Sequence, residues 1–216
     1  MRIGILGGTF NPIHNAHLRI AEEVRDRLDL ERVMFMPTAS PPHKLLAGEL
    51  SFKVRYEMVR LAIADNPCFT VSDLEGRRGG TSYSIHTLQE LHGTFPSDEF
   101  FFIIGSDSFL DIGSWREYAE IFCLCNLVVV SRPGALADPL DQALPAAIAD
   151  QFTYHVAEKR LEHCSGNSVY AVSGTLLDIS SSEIRRLARQ GRSIKYLLPA
   201  AVEQYIKEQR IYNDAR

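Results

Sequence analysis

Four cysteines are few for 216 residues, and none stands in a C-x-x-C pair or at zinc-ligand spacing. Cys68, Cys123, Cys125 and Cys164 read instead as thiols of a reducing compartment. Long apolar runs are missing too. None approaches the roughly 20 residues needed to cross a bilayer, and Met1-Arg2-Ile3-Gly4-Ile5-Leu6 is too brief for a signal-peptide core. A cytoplasmic protein without a membrane partner is expected. Basic character is equally absent. Lys and Arg number 23 against 27 Asp and Glu, a net charge of −4, with no basic run or arm. That excludes nucleic-acid binding as the main role. Nor is there a G-x-G-x-x-G turn. After Gly4, Gly7 and Gly8 the chain has His14 and His17 where glycines are needed, which excludes an NAD-dependent dehydrogenase. No internal repeat, linker or low-complexity segment interrupts the chain.

What remains is an ordinary globular composition, 45% hydrophobic and 23% charged, suited to one α/β domain over 1–216. Apolar runs at 3–7, 33–36, 69–74, 100–104 and 127–130 predict buried strands. Between them, Leu18, Ala21, Val24 and Leu28 repeat at helical spacing, as do Val54, Met58, Leu61 and Ala62 behind a Ser51 cap. A further helix is predicted near 84–91. Continuous apolar strands separated by helices imply a Rossmann-like, doubly wound parallel sheet covered on both faces. Its ligand crevice belongs at the carboxyl ends of the strands. The stretch 135–165 predicts only a helix at 140–148, weakened by Pro145, and an outlying strand. A small helical part is expected from about 180 to 216.

The segment Gly7-Gly8-Thr9-Phe10-Asn11-Pro12-Ile13-His14-Asn15-Ala16-His17 follows the first strand directly. Its glycines and proline build a turn where backbone amides can approach a polyanion. Its two histidines, three residues apart, share one face of a helix's first turn. A helix start favours phosphate through unpaired N–H groups and a positive dipole end. A second such start is Ile179-Ser180-Ser181-Ser182-Glu183-Ile184-Arg185-Arg186. Ser180 and Glu183 have capping-box spacing. Arg185, so near a helix N-terminus, opposes the dipole unless an anion is bound. Serine hydroxyls, amides and a guanidinium fork together suit phosphate oxygens. Two such starts at opposite ends of the sequence suit one triphosphate.

The first segment resembles the GGTFDPxHxGH signature of the nucleotidyltransferase superfamily that contains nicotinate-nucleotide and pantetheine-phosphate adenylyltransferases. Asn11 stands for its Asp and Ala16 for its Gly. The second resembles its ISxTxIR signature, with Ser182 for Thr. Four further segments are similar to nicotinate-nucleotide adenylyltransferases in particular. These are Pro41-Pro42-His43-Lys44, Gly80-Thr81-Ser82-Tyr83-Ser84, Gly105-Ser106-Asp107 followed by Trp115, and Arg132-Pro133-Gly134. His14 also stands where the pantetheine-phosphate enzymes have Thr. The resemblance implies adenylyl transfer from ATP to nicotinate mononucleotide, giving nicotinate adenine dinucleotide and pyrophosphate in NAD biosynthesis. It implies catalytic roles for His14, His17, Lys44 and Arg185. Around ATP it implies these residues except Lys44, together with Gly7, Gly8, Thr9, Phe10, Gly105, Asp107, Arg132, Ile179, Ser180 and Ser182. Around the acceptor it implies Thr9, Lys44, Ser82, Tyr83, Ser84, Trp115 and Arg116.

Trp115, the only tryptophan, is expected at a helix start near the crevice. There its indole can stack on a pyridine ring, and free amides can take a nicotinate carboxylate. The attacking phosphate monoester is already largely dianionic at neutral pH, so no general base is needed. Alignment and charge neutralisation are left for the protein. Bound phosphates should raise the histidine pKa values and favour the cations. Mg²⁺ should arrive on ATP, because it needs few protein ligands. Open alternatives are an adenylyltransferase acting on nicotinamide mononucleotide or another phosphate acceptor, and a nucleotide-sensing module that is not an enzyme. A homo-oligomer also stays open.

Overall fold

The apolar runs become strands of one sheet because both of its faces are covered. A computed structural model describes residues 1–40, 50–131, 140–175 and 177–212. The strands are β1 (Arg2–Gly8), β2 (Arg32–Pro37), β3 (Phe69–Val71), β4 (Glu99–Gly105), β5 (Asn126–Ser131), β6 (Phe152–His155), β7 (Arg160–His163) and β8 (Ser168–Ser173). They lie in the order β3-β2-β1-β4-β5-β8-β7-β6. All pairings from β3 to β8 are parallel, and β7 and β6 extend the edge as an antiparallel hairpin. The helices are α1 (Asn15–Arg27), α2 (Phe52–Ala62), α3 (Leu74–Arg78), α4 (Ser84–Thr94), α5 (Ser106–Leu110), α6 (Tyr118–Leu124), α7 (Ser181–Arg189) and α8 (Ala200–Glu208). This is the Rossmann-like α/β class expected, with helices closing the chain.

Strand β4 shows why its sequence lacks polar alternation. Phe101 and Ile103 join Val33, Phe35 and Val128 in a core shared with Val24 of α1, Met58 of α2, Ile184 of α7 and Val202 of α8. Phe100, Phe102 and Ile104 point the other way, to Ile85 of α4, Phe109 of α5 and Phe122 of α6. Truncating a buried phenylalanine such as Phe101 to alanine costs about 3–5 kcal/mol. The same sheet therefore fixes the position of everything at its carboxyl edge.

The helix starts form as expected, with one adjustment. Ser51 Oγ accepts the Val54 N–H at 3.4 Å, and Ser180 Oγ accepts the Glu183 N–H at 3.2 Å. The carboxylate of Glu183 pairs with Arg186 at 2.5 Å, so only the serine half of the expected capping box forms. On α2 the buried side chains are Arg55, Met58, Val59 and Ala62. Val54 and Leu61, expected on that stripe, are only partly buried.

Three elements differ from expectation. The run 69–74 stops as a strand at Val71, because Ser72 Oγ accepts the Leu74 N–H at 3.2 Å and Leu74 opens α3. The helix expected at 140–148 does not form. A short 3₁₀ turn, Leu140–Ala143, ends before Pro145, which lacks the N–H a continuing helix needs. The outlying strand is the β6–β7 hairpin, and it leads into β8, a strand not expected at all. Ser168, Tyr170 and Ser173 break its apolar run, yet β8 pairs with β5 from Leu127↔Val169 to Ser131↔Ser173. Among the described residues no helix is long and apolar enough to cross a membrane.

Candidate active site

Strand order reverses between β1 and β4, and the crevice of a doubly wound sheet opens at such a point. A cleft of about 620 Å³ lies at their carboxyl ends, lined by Gly7, Gly8, Thr9, His14 and His17 after β1 and by Gly105 and Asp107 after β4. A second hollow of about 630 Å³ continues it, sharing Thr38, Ser82, Ser84, Asp107, Ser108 and Trp115.

The glycine turn is shaped around Phe10. A Cβ on Gly8 would come within 3.1 Å of the Phe10 ring. Phe10 itself takes a left-handed φ of 48°, and its ring is 2% exposed. That ring meets His17 edge-on at 5.1 Å. His17 in turn stacks on His14, with centroids 3.7 Å apart and planes 25° from parallel. Phe10 is therefore beneath the imidazoles and not among the lining residues.

His14 is the N-cap residue of α1, and its backbone N–H donates to His17 Nδ1 at 3.2 Å. An accepting Nδ1 leaves the proton of neutral His17 on Nε2. Burial, with His14 alongside, pushes the His17 pKa well below the imidazole range. Burial also lowers His14 to about 4. Both rings are thus neutral at pH 7 here, in contrast to the cations expected with phosphate bound. Among the described residues, His14 Nδ1 is buried without a hydrogen-bond partner.

The second helix start closes on the first. Ile179, Ser180 and Ser181 line the cleft, and Ser181 Oγ donates to the Pro12 carbonyl at 2.8 Å. Arg185 Nη1 donates to the Asn11 carbonyl at 2.7 Å and Nη2 to Ser182 Oγ at 3.2 Å. Tyr212 donates its hydroxyl proton to Asn11 Oδ1 at 2.6 Å. Arg185 and Ser182 therefore brace the first turn from behind, and neither is among the lining residues.

Of the residues expected around an acceptor, the far hollow gathers Ser82, Tyr83, Ser84, Trp115 and Arg116, while Thr9 lines only the first cleft. Ser82 Oγ accepts the Ala39 and Ser40 N–H groups at 3.2 and 3.3 Å. Tyr83 precedes α4, and the Arg116 guanidinium lies over its ring at 5.0 Å while pairing with Glu117 at 3.1 Å. Trp115 lines both hollows, its ring 6.2 Å from that of Phe102. Trp115 does not open a helix, however. It ends a 3₁₀ turn, Ile112–Ser114, and its N–H donates to the Ile112 carbonyl at 2.9 Å. α6 begins only at Tyr118, after Glu117 adopts a left-handed φ of 51°. The Trp115 amide is therefore already committed.

Lys44 and Arg132, with Pro41, Pro42, His43, Pro133 and Gly134, lie outside the described residues. Two residues escaped the sequence analysis. Glu75 on α3, 7% exposed, lines the cleft and accepts from Thr87 Oγ1 at 2.8 Å and the Ala39 N–H at 3.3 Å. Arg55 on α2 is 1% exposed and donates to the Thr9 carbonyl at 2.8 Å. Its signal was a charged residue three positions before Met58, in phase with the buried stripe.

A parallel sheet with a glycine turn and stacked imidazoles at its switch point is the arrangement of a nucleotide-transferring enzyme. The chain belongs to the cytidylyltransferase-like family, whose profile matches residues 5–187. Over 216 residues, 100% of both chains, it is 85% identical to the probable nicotinate-nucleotide adenylyltransferase of Geotalea daltonii. It is 77% identical, again over 100% of both chains, to that of Geotalea uraniireducens. Within the wider family it therefore stands among the nicotinate-nucleotide adenylyltransferases. Its fold is similar to that of Plasmodium falciparum nicotinic acid mononucleotide adenylyltransferase complexed with NaAD. That match has a TM-score of 0.73 at 20% identity, covering 98% of this chain and 97% of the other.

Proposed function

We infer that this chain transfers the adenylyl group of ATP to nicotinate mononucleotide, producing nicotinate adenine dinucleotide and pyrophosphate for NAD biosynthesis in the cytoplasm. The observation that carries the reading is the stacked His14–His17 pair at the start of α1, open to a cleft that continues past Trp115 into a second hollow. The names of its full-length relatives, probable nicotinate-nucleotide adenylyltransferases, support the acceptor.

An oxygen of the acceptor's 5′-phosphate attacks the α-phosphorus of ATP. The bond from that phosphorus to the bridging oxygen breaks, and pyrophosphate leaves with the electron pair. The attacking dianion needs no base, so catalysis is alignment and charge stabilisation. His17, with its proton on Nε2, donates to the α- and β-phosphates without being cationic beforehand, and His14 acts beside it. Gly7, Gly8, Thr9 and the stretch Ile179–Ser181 at the start of α7 supply amides and hydroxyls to the triphosphate. Lys44 neutralises the leaving pyrophosphate, with Arg132 on ATP, while Arg185 acts through the Asn11 turn that it braces. Asp107 accepts from the adenosine ribose. Thr9, Ser82, Tyr83, Ser84 and Arg116 surround the acceptor, with Trp115 stacked on its pyridine ring. Nucleotidyltransferases take ATP with a divalent metal. The ion inferred here is Mg²⁺, entering as part of the substrate on the phosphates.

Incubating the protein with MgATP and, separately, nicotinate mononucleotide, nicotinamide mononucleotide and phosphopantetheine tests the reading. Pyrophosphate and the dinucleotide are expected fastest with nicotinate mononucleotide. Faster turnover of another acceptor would reassign the substrate. ATP binding without pyrophosphate release would make the chain a nucleotide sensor.

A further inference from the structure

Arg55 is among the largest fully buried side chains of the protein, yet it carries a charge it cannot lose. Its burial has to be offset by well-placed acceptors. Nη1 donates to the Thr9 carbonyl at 2.8 Å, Nη2 to the Ala39 carbonyl at 3.2 Å, and Nε to the Leu50 carbonyl at 3.3 Å. The Phe52 ring covers the guanidinium at 5.8 Å. That ring lies so close to Gly76 of α3 that a Cβ there would approach it within 2.2 Å.

The three carbonyls come from three places in the chain. Thr9 belongs to the turn that follows β1 and lines the cleft. Ala39 and Leu50 flank the stretch 41–49, which carries Lys44. The Ala39 N–H is held from the other side by Ser82 Oγ and Glu75 Oε2. Neighbouring Thr38 lines both hollows. One planar fork thus spans the ATP side and the acceptor side, a reach that a single ammonium does not reproduce.

We propose that Arg55 is a positioning residue for adenylyl transfer. Its buried fork ties the Thr9 turn to both chain ends from which the Lys44 stretch departs, and so sets the ATP phosphates against the acceptor wall at Thr38 and Ser82. The proposal rests on the transfer reading above. Arg55 touches no substrate and acts through backbone placement, where a misplacement on the order of 1 Å costs about 10²-fold in rate.

The test compares wild type with Arg55→Lys, which keeps the charge and loses the fork. Hydrogen–deuterium exchange should quicken in the segments around Thr9, Ala39 and Leu50 and stay unchanged in β4 and β5. With nicotinate mononucleotide, kcat should fall about 10²-fold while the ATP KM changes far less. Lys44→Ala should lower kcat clearly in wild type but add little in Arg55→Lys, because both act on one alignment. Unchanged or uniformly faster exchange would overturn the proposal, as would an equal Lys44→Ala penalty in both backgrounds. If Arg55→Lys does not melt cooperatively, Arg55→Gln is read in the same way. Loss of cooperative folding in both would make Arg55 a stability residue and reject the positioning role. The exchange pattern needs no turnover. An inert wild type would therefore reject the transfer reading, while exchange still decides whether Arg55 ties the three segments.

Discussion

Arg185 donates to the backbone carbonyl of Asn11 at 2.7 Å, joining residues 174 positions apart in the chain. A cation in the first turns of a helix conflicts with the dipole, and here a carbonyl oxygen supplies the negative end it needs. Arg185→Ala should therefore destabilise the protein without nucleotide, by roughly 1–2 kcal/mol for a partly exposed charged hydrogen bond. The same change should weaken ATP binding through the displaced turn. Thermal melts with and without ATP provide the check. An unchanged melting temperature, together with an unchanged ATP-induced shift, would leave Arg185 without either role.

The tautomer of His17 gives a graded prediction. With Nδ1 accepting from His14, the useful proton is on Nε2. A glutamine amide nitrogen falls near Nε2, whereas an asparagine amide falls near Nδ1. His17→Ala and His17→Asn should each lower kcat by about 10²-fold or more, the scale of a lost transition-state donor. His17→Gln should retain about tenfold more activity than either. Steady-state kcat values settle the order, and equal losses in Gln and Asn would contradict the tautomer argument.

Acid should destabilise the nucleotide-free protein through His14. Its folded pKa of about 4 lies below the usual 6.5 because burial disfavours the charged ring. Between those two values the unfolded chain binds the extra proton and the folded one does not. Stability therefore falls as pH drops from about 6.5 towards 4, by a total on the order of 3 kcal/mol. His17, shifted in the same direction, adds to the effect. Urea melts of wild type and His14→Gln at pH 7 and pH 5 test this. The variant should lose less stability on acidification, and identical slopes would refute the assignment.

Trp115 should act on the acceptor alone. Its ring borders the hollow that also holds Ser82, Tyr83 and Arg116. Trp115→Ala should raise the acceptor KM several-fold, since an aromatic stack contributes about 0.5–1.5 kcal/mol beyond burial, and leave the ATP KM nearly unchanged. Separate KM measurements for the two substrates decide it. A defect confined to ATP would move the ring out of the acceptor site.

The turn Gly7–Gly8, the His14–His17 pair and the strands β1 to β5 were legible in the sequence. Their signals are local: apolar runs, helical spacing and the residue chemistry of a turn act within a few neighbours. The strand β8 was less legible, because Ser168, Tyr170 and Ser173 hide a pairing whose partner β5 lies some 40 residues away. The commitment of the Trp115 amide was hidden for a related reason, since a 3₁₀ turn and an α-helix start differ by one hydrogen bond.

By itself the sequence determined the layered α/β class and the two phosphate-favouring helix starts, for these follow from periodicity and backbone chemistry. Only the tertiary structure decided the charge state of the two imidazoles, because desolvation depends on what packs over a ring. Only it brought Asn11 to Arg185 and Tyr212, and Thr9 to Arg55. Hydrogen bonds between distant segments are chosen by the packing of the sheet and its helices, and nothing in either segment's own sequence specifies the partner.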